Sequence, residues 1–158
     1  MLYLFMYQIQ DKGEPMDTKF SVALHILTMI SESSEVMTSQ ALAESVGTNA
    51  SYIRKVIALL KNAGLIQSQQ GKAGYELSKE PKDISLLDIY FATQEVSHIQ
   101  LFQQHQHANP ACPVGKHIAG AVSPIFASVE KQLEGDLAQQ SLDNVIENLY
   151  AEAKQDRI

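Results

Sequence analysis

The sequence is poor in cysteine and has no apolar run long enough to cross a bilayer. Cys112 is the single cysteine among 158 residues, so an intrachain disulfide framework is excluded and a reducing compartment is expected. The opening MLYLFMYQIQ is apolar, but it is too short for a membrane span and lacks the basic segment and cleavage site of a signal peptide. We therefore expect a cytoplasmic protein with no membrane partner.

Residue patterns typical of catalysis are also missing. There is no glycine-rich phosphate cradle and no pair of carboxylates predicted on one face. Cys112 has histidines nearby in the sequence, but no third residue is in place to orient a nucleophile and its base. We therefore expect that the protein is not an enzyme.

Basic residues are outnumbered, although they are not spread evenly. The chain has 12 basic and 18 acidic residues, a net charge of −6 that by itself disfavours nucleic acid as a partner. Residues 50–75 nevertheless contain four basic residues and no acidic one, whereas residues 81–158 contain five basic and ten acidic ones. This distribution indicates one surface that meets phosphate, although a chance run on a solvated helix would give the same charges.

Apolar residues recur at three- and four-residue steps in three consecutive segments before residue 65, which predicts three helices. Asp17 and Thr38 are the predicted caps of the first and second helices, and Gly47 lies in the turn before the third. The third helix is predicted from about Ala50, with Gly64 as its end.

Extended segments and then further helices follow. Residues 65–68 and 75–77 are predicted strands joined by a glycine-containing loop, which together form a β-wing. Ser85 begins a capping box for a fourth helix, and residues 97–113 are predicted to be irregular. A long amphipathic helix is predicted from about Val114 to Gly135 with a kink at Pro124, and Ser141 is the predicted cap of a last helix.

These patterns predict a mainly α fold with a small β-wing, organised as a winged helix-turn-helix domain plus a long C-terminal dimerisation helix. The long apolar stripe has nothing obvious to cover it within one subunit, so we expect a homodimer. The predicted divisions are an N-terminal extension of uncertain role (1–16), the winged helix-turn-helix domain (17–80), the fourth helix with a sensor-type loop (81–113), and the dimerisation and C-terminal helices (114–158).

A helix-turn-helix followed by a wing is typical of proteins that bind duplex DNA, because its last helix fits the major groove. Arg54 is the first candidate for a base contact, since its guanidinium matches the acceptors of guanine, and Lys55 and Tyr52 are candidates for phosphate contacts. Each of these residues could instead be merely solvated. The full set of DNA-contact candidates is Asn49, Ser51, Tyr52, Arg54, Lys55, Gln70 and Lys72.

The sequence resembles the Rrf2 family of winged helix-turn-helix transcriptional regulators, which includes IscR, NsrR and CymR. The resemblance covers about residues 17–149 and is carried by Ser51-Tyr52, by NAGLI at residues 62–66, by Gly71 and Gly74, and by ISLLDI at residues 84–89. The segment NPACPVGK at residues 109–116 brings the chain closer to the YwnA-like branch.

The resemblance implies a homodimer that binds double-stranded DNA, with the long helices crossed between subunits. A repressor on a palindromic operator is the expected role. Many members have an acidic residue where Arg54 stands and an arginine where Gln70 stands, so their operator sequence cannot be transferred. Cluster-binding members use three cysteines in a short loop, whereas this chain has one, so we expect no cofactor and no thiolate-bound iron–sulfur cluster.

Three interpretations of Cys112 remain open. It could be a redox or electrophile sensor whose thiolate is favoured by Lys116, His117 and the start of the long helix. It could be a metal ligand together with His105, His107 and His117, although the spacing matches no tight finger pattern. It could also be a small buried residue that packs the linker. At the level of the whole protein, a winged helix that binds a partner protein is the alternative to DNA binding.

Overall fold

The computed structural model describes residues 18–156, which form a mainly helical fold with one small antiparallel sheet. The fold class expected from the sequence is thus confirmed, and so is the order of its elements. In chain order they are α1 (Lys19–Glu32), α2 (Ser39–Val46), α3 (Ala50–Asn62), β1 (Ile66–Ser68), β2 (Tyr75–Leu77), a 3-10 turn (Pro81–Asp83), α4 (Leu86–Gln94), α5 (Pro113–Gln139) and α6 (Leu142–Gln155).

Side-chain caps begin three of the helices where the sequence predicts them. The Thr38 side chain accepts a hydrogen bond from the backbone N–H of Ala41 at 3.2 Å. Ser85 and Ser141 each open a capping box, the first before α4 and the second before α6. The predicted cap Asp17 lies outside the described residues, and Thr18, next before α1, makes no side-chain cap hydrogen bond.

One apolar core is shared by α1, α2 and α3, and the part of the molecule built around this core is called the head. Four residues of α3 are buried because they recur on one face of the helix, namely Ile53, Val56, Ile57 and Leu60. The last helix shares this core, since Leu142 and Ile146 pack in the same cluster. The buried apolar residues of the cluster are Ala23, Ile26, Leu27, Leu42, Ala43, Ile53, Val56, Ile57, Leu60, Leu65, Ile66, Ile84, Ile89, Leu142 and Ile146.

Backbone hydrogen bonds hold α6 beside the start of α4. The N–H of Leu86 donates to the carbonyl of Gln140 at 2.9 Å, and the N–H of Leu142 donates to the carbonyl of Ile84 at 2.9 Å. These two bonds surround a single antiparallel bridge between Ser85 and Ser141. The chain therefore returns to the head after α5.

The wing is the two-stranded antiparallel sheet of β1 and β2. Its register pairs Ile66 with Leu77 and Ser68 with Tyr75. Ile66 is buried in the core, which fixes the base of the wing, while the connecting turn projects away from it.

The long helix α5 has 27 residues and no buried residue. The prediction that Gly135 ends it is wrong, because the helix continues to Gln139, and a glycine inside a helix costs only about 1 kcal/mol relative to alanine. Pro124 lies within the helix, and the kink expected there stays a prediction. Val114, Ile125 and Val129 are 67%, 62% and 46% exposed, which is unusual for large apolar side chains of one helix.

The irregular segment from residue 96 to 112 lies back along α5. The Glu134 carboxylate accepts from the N–H of Ile99 at 2.6 Å, and the Glu130 carboxylate accepts from the N–H of Leu101 at 2.8 Å. Phe102 stacks on a phenylalanine of α5, Phe126, with ring centroids 4.8 Å apart. Among the helices of residues 18–156, none is both long and apolar enough to traverse a membrane.

Candidate DNA-binding surface

The turn between α2 and α3 aims the start of α3 away from the core. Gly47 adopts φ 80°, and its N–H and that of Thr48 both donate to the carbonyl of Ala43, at 2.9 and 3.0 Å. Asn49 then caps α3, its side-chain oxygen accepting from the N–H of Tyr52 at 2.9 Å. A positive φ favours glycine, so the turn geometry depends on Gly47.

The outward face of α3 carries the polar and basic residues predicted from the sequence. Ser51, Arg54 and Lys55 are exposed, whereas Ile53 and Val56 point into the core. Arg54 and Lys55 have no hydrogen-bond or ion-pair partner among residues 18–156. Both cations are therefore available to an external anion.

Two of the predicted contacts are already used inside the protein. Tyr52 is partly buried against the core, and its hydroxyl lies 3.3 Å from Oγ1 of Thr18. The Oδ1 atom of Asn49 is the helix cap described above. Tyr52 and Asn49 thus position α3, and the part of Asn49 left for DNA is its amide nitrogen.

The wing presents the remaining candidates at its turn. Gln70 and Lys72 are exposed, and the side-chain ammonium of Lys72 has no polar partner in the described part of the chain. The turn is closed by a hydrogen bond from the N–H of Gln69 to the carbonyl of Gly74 at 3.0 Å, and Gly71 adopts φ 74°. Lys72, the cation that the wing adds to this surface, is therefore held on a short turn of fixed geometry.

Two contacts that the sequence did not reveal attach the wing to the rest of the head. Lys61 on α3 donates to the hydroxyl of Ser68 on β1 at 2.9 Å, which makes this lysine a structural contact. Gly74 lies so close to Val36 that a Cβ on the glycine would overlap Cγ1 of the valine. The first contact joins residues seven apart across the turn after α3, and the second joins positions 38 apart, so neither follows from a helix or strand period.

Cys112 is exposed, so the interpretation of it as a buried linker residue is wrong for the subunit. Cys112 occupies the N-cap position of α5 and ends a turn that begins at Asn109. Its N–H donates to the carbonyl of Asn109 at 3.2 Å. Gly115, on the first turn of the helix, packs directly on the Asn109 backbone and leaves no room for a Cβ. The cysteine therefore sits on a tightly packed turn with its side chain in solvent.

The metal-site alternative is not supported by the arrangement of donors. Within residues 18–156, no group of three or more His, Cys, Asp or Glu side chains is placed to hold a metal ion. His105, His107 and His117 are exposed, and they do not converge with Cys112. A thiolate-bound iron–sulfur cluster fits no better, because such clusters use several cysteines and the chain has one.

Comparison with known proteins shows that the chain is similar to transcriptional regulators. The family description "Rrf2: Iron-dependent Transcriptional regulator" matches residues 16–148. YwnA of Bacillus subtilis (strain 168), named as an HTH-type transcriptional regulator, is 42% identical over 134 residues, which cover 85% of this chain and 98% of YwnA. These relatives are regulators of transcription, a role that is not enzymatic.

Solved structures show the same fold. A crystal structure of a protein described as DNA-binding superposes with a TM-score of 0.65 at 39% identity, covering 81% of this chain and 98% of that protein. CymR of B. subtilis, the global cysteine regulator, superposes with a TM-score of 0.61 at 20% identity, covering 85% of this chain and 98% of CymR. Both matches span nearly the whole of the described fold.

Proposed function

The chain belongs to the Rrf2 family of transcriptional regulators, and we propose that it represses transcription in the cytoplasm as a homodimer bound to a palindromic operator in double-stranded DNA. Repression follows from occupancy, since a compact dimer on a promoter blocks polymerase without a dedicated activation surface. The proposal depends mainly on one observation, the unpartnered basic face of α3 beside the wing.

Within this surface the side chains divide by chemistry. Arg54 is assigned to base recognition, because a guanidinium can make two parallel hydrogen bonds to guanine in the major groove. Lys55 and Lys72 are assigned to phosphates, because an ammonium group is a point charge without such directional matching. Ser51 and the amide of Asn49 lie at the start of α3, where a recognition helix meets base edges, and Gln70 lies with Lys72 on the wing.

Binding to fragments of its own promoter at several salt concentrations tests the proposal. Log K should fall with log salt by about 0.9 per phosphate neutralised, and Lys55→Ala should reduce that slope by about 2, because the dimer loses one contact from each subunit. Arg54→Ala should weaken specific binding about tenfold or more and relax the preference at one base pair of each half-site. Lys131→Ala, which removes an exposed lysine of α5, is the matched control and should change neither.

Negligible binding of the reduced and oxidised protein alike at low salt would contradict DNA recognition. It would instead favour a winged helix that binds a protein partner, because such a partner need not show the counterion-release slope.

The dimer is assigned to α5. Val114, Ile125 and Val129 are exposed in the subunit, and a helix with such an unpaired apolar face is stabilised by packing on a second copy. A two-fold dimer presents two copies of α3, which matches the proposed palindromic operator. Sedimentation at micromolar concentration should give a mass near twice 17.5 kDa, whereas a monomeric mass would contradict this assignment.

Control by thiol modification is the proposed regulatory input. Addition of Cys112 to a quinone forms an S–C bond and passes the thiol proton to the quinone oxygen, which leaves a bulky group on the turn at the start of α5. Because this turn packs on Gly115, the adduct is expected to disturb α5 and lower operator affinity. An unchanged response to quinone in Cys112→Ser would contradict the role.

We propose that the protein acts without a resident cofactor. One cysteine per subunit cannot supply the thiolates of the family's clusters. Protein purified without oxygen should therefore bind the promoter fragment while showing no visible iron–sulfur absorption. A visible cluster spectrum that disappears together with DNA binding would refute this part.

A further inference from the structure

An apolar groove lies between α1 and α6. Its volume is about 500 Å³, within the range of small-molecule sites. The apolar residues along it come from both helices and from the segment after α1, and they are Leu24, Met29, Met37, Val145 and Leu149. Leu149 is 48% exposed, which leaves one wall of the groove open to solvent.

Among the described side chains that line the groove, Glu32 carries a negative charge and none is lysine or arginine. The one basic group is the imidazole of His25, which contacts the hydroxyl of Ser45. The hydroxyl of Tyr150 donates to Oε2 of Glu32 at 2.9 Å and so holds the carboxylate at the end of the groove. This hydrogen bond, and then the negative charge of Glu32, raise the pKa of Tyr150, so the tyrosine remains a neutral donor near pH 7.

We propose that this groove binds an apolar organic cation, whose hydrophobic body lies on Leu24, Met29 and Leu149 and whose positive charge pairs with Glu32. The methionines suit such a ligand, because flexible thioether side chains adapt to different shapes. The negative charge of Glu32 would disfavour anions of equal size and shape. Selection by charge is therefore the distinctive property of the site.

The groove lies where a bound ligand would affect DNA binding. This part of the proposal rests on the proposed function. His25, which also lines the groove, lies with Nε2 3.0 Å from Oγ of Ser45 on α2, the helix that precedes the recognition helix. On the opposite wall, α6 follows the long helix α5 directly. A ligand between α1 and α6 would touch both the head and the element joined to α5, so it is expected to change operator affinity.

The test uses tetraphenylphosphonium and tetraphenylborate, two ions of nearly identical shape and opposite charge. Equilibrium dialysis of the full chain should show saturable binding of the phosphonium, with weaker binding of the borate. Glu32→Gln should weaken phosphonium binding about three- to fivefold, as expected for a partly screened ion pair, and should remove the preference between the two ions. Leu149→Gln should weaken both ions, because it places a polar group on the apolar wall.

Leu101→Gln is the matched control, since Leu101 is an exposed leucine outside the groove and its change should leave both affinities as they are. Tyr150→Phe keeps the ring but frees the carboxylate, so it should not weaken phosphonium binding. Thermal unfolding of each variant shows whether it is folded.

Absent or unsaturable phosphonium binding, or equal binding of both ions, would overturn the site. Dissociation of the dimer by saturating phosphonium would show that a second copy occupies the groove, which also overturns it. Phosphonium binding that leaves promoter affinity unchanged would refute the coupling alone. Failure of the free protein to bind promoter DNA would refute the proposed function and not the site.

Discussion

Replacement of Gly74 by alanine tests how the wing is attached to the head. The added Cβ would overlap Cγ1 of Val36 and would lie 3.3 Å from the carbonyl oxygen of Met37 and 3.4 Å from Cβ of Val36. Valine has few rotamers, and the backbone carbonyl is fixed by its neighbours, so the wing itself must move. Gly74 does not adopt a positive φ, and the penalty is therefore steric alone.

The expected size of the effect follows from two opposing terms. Overpacking of this kind costs about 1 to 3 kcal/mol, while the lower entropy of the unfolded alanine chain returns roughly 0.4 to 1 kcal/mol. Because the overlap with Val36 is severe, the overpacking cost should lie in the upper half of its range, about 2 to 3 kcal/mol, and the free energy of unfolding in urea should fall by about 1 to 2.5 kcal/mol. Because the wing carries Lys72, promoter affinity should fall as well.

A double-mutant cycle with Val36→Ala decides whether the overlap is the cause. Val36→Ala removes Cγ1, so the combined variant should recover part of the stability lost in Gly74→Ala, with a coupling of about 0.5 to 3 kcal/mol. Gly120→Ala is the control, since a Cβ there meets no atom within 4 Å and lies in α5. It should raise stability by up to about 1 kcal/mol. Gly74→Ala as stable as the parent protein, or no coupling to Val36, would refute the reasoning.

Three further changes test the α3 cap, the exposed helix and the groove. Asn49→Ala should lower the free energy of unfolding in urea by about 1 kcal/mol, because the cap of α3 is lost. Asn49→Asp keeps the cap but should weaken promoter binding, because it adds a negative charge. Equal stability of the two variants would contradict the capping role. Ile125→Asp should shift the protein to monomer in sedimentation. Ala127→Asp, at an exposed position on the opposite face of α5, should not, and a dimeric Ile125→Asp protein would exclude the face of Ile125. The pKa of Tyr150 is raised by its hydrogen bond to Glu32, so this bond stabilises the fold below the ordinary tyrosine pKa and the stabilisation is lost as pH rises through the folded-state pKa. The difference spectrum between the parent protein and Tyr150→Phe should show one tyrosine that ionises at a pH above the ordinary tyrosine pKa. Ionisation at or below the ordinary pKa would contradict the contact.

Local patterns in the sequence predicted most of the helices and their starts. The caps Thr38, Ser85 and Ser141 form as expected, because a capping side chain bonds to a backbone N–H only two or three positions away. Gly135 misled the prediction of the end of α5, since one glycine costs too little to stop a helix whose neighbours continue it. Boundaries set by small energy differences are poorly determined by residue type.

The candidate DNA surface was predictable in its residue types but not in its internal contacts. Arg54 and Lys55 are exposed because they lie opposite the buried stripe of α3, a relation fixed by the helical period. The contact of Tyr52 with Thr18 joins positions 34 residues apart, so no local pattern could reveal it. The exposure of Cys112 likewise depends on how a whole loop packs along α5.

The return of α6 to the head has a consequence for how the protein is made. Leu142 and Ile146 complete a core whose other members lie far earlier in the chain, and the strand-like pairing at Ser85 and Ser141 forms at the same time. Domains generally fold as units during synthesis, beginning from the N-terminus. Here the N-terminal unit remains without part of its core until Leu142 and Ile146 have left the ribosome. Nascent chains that stop before α6 should therefore be unable to occupy an operator, and competence for DNA should arise only once α6 can pack on the core.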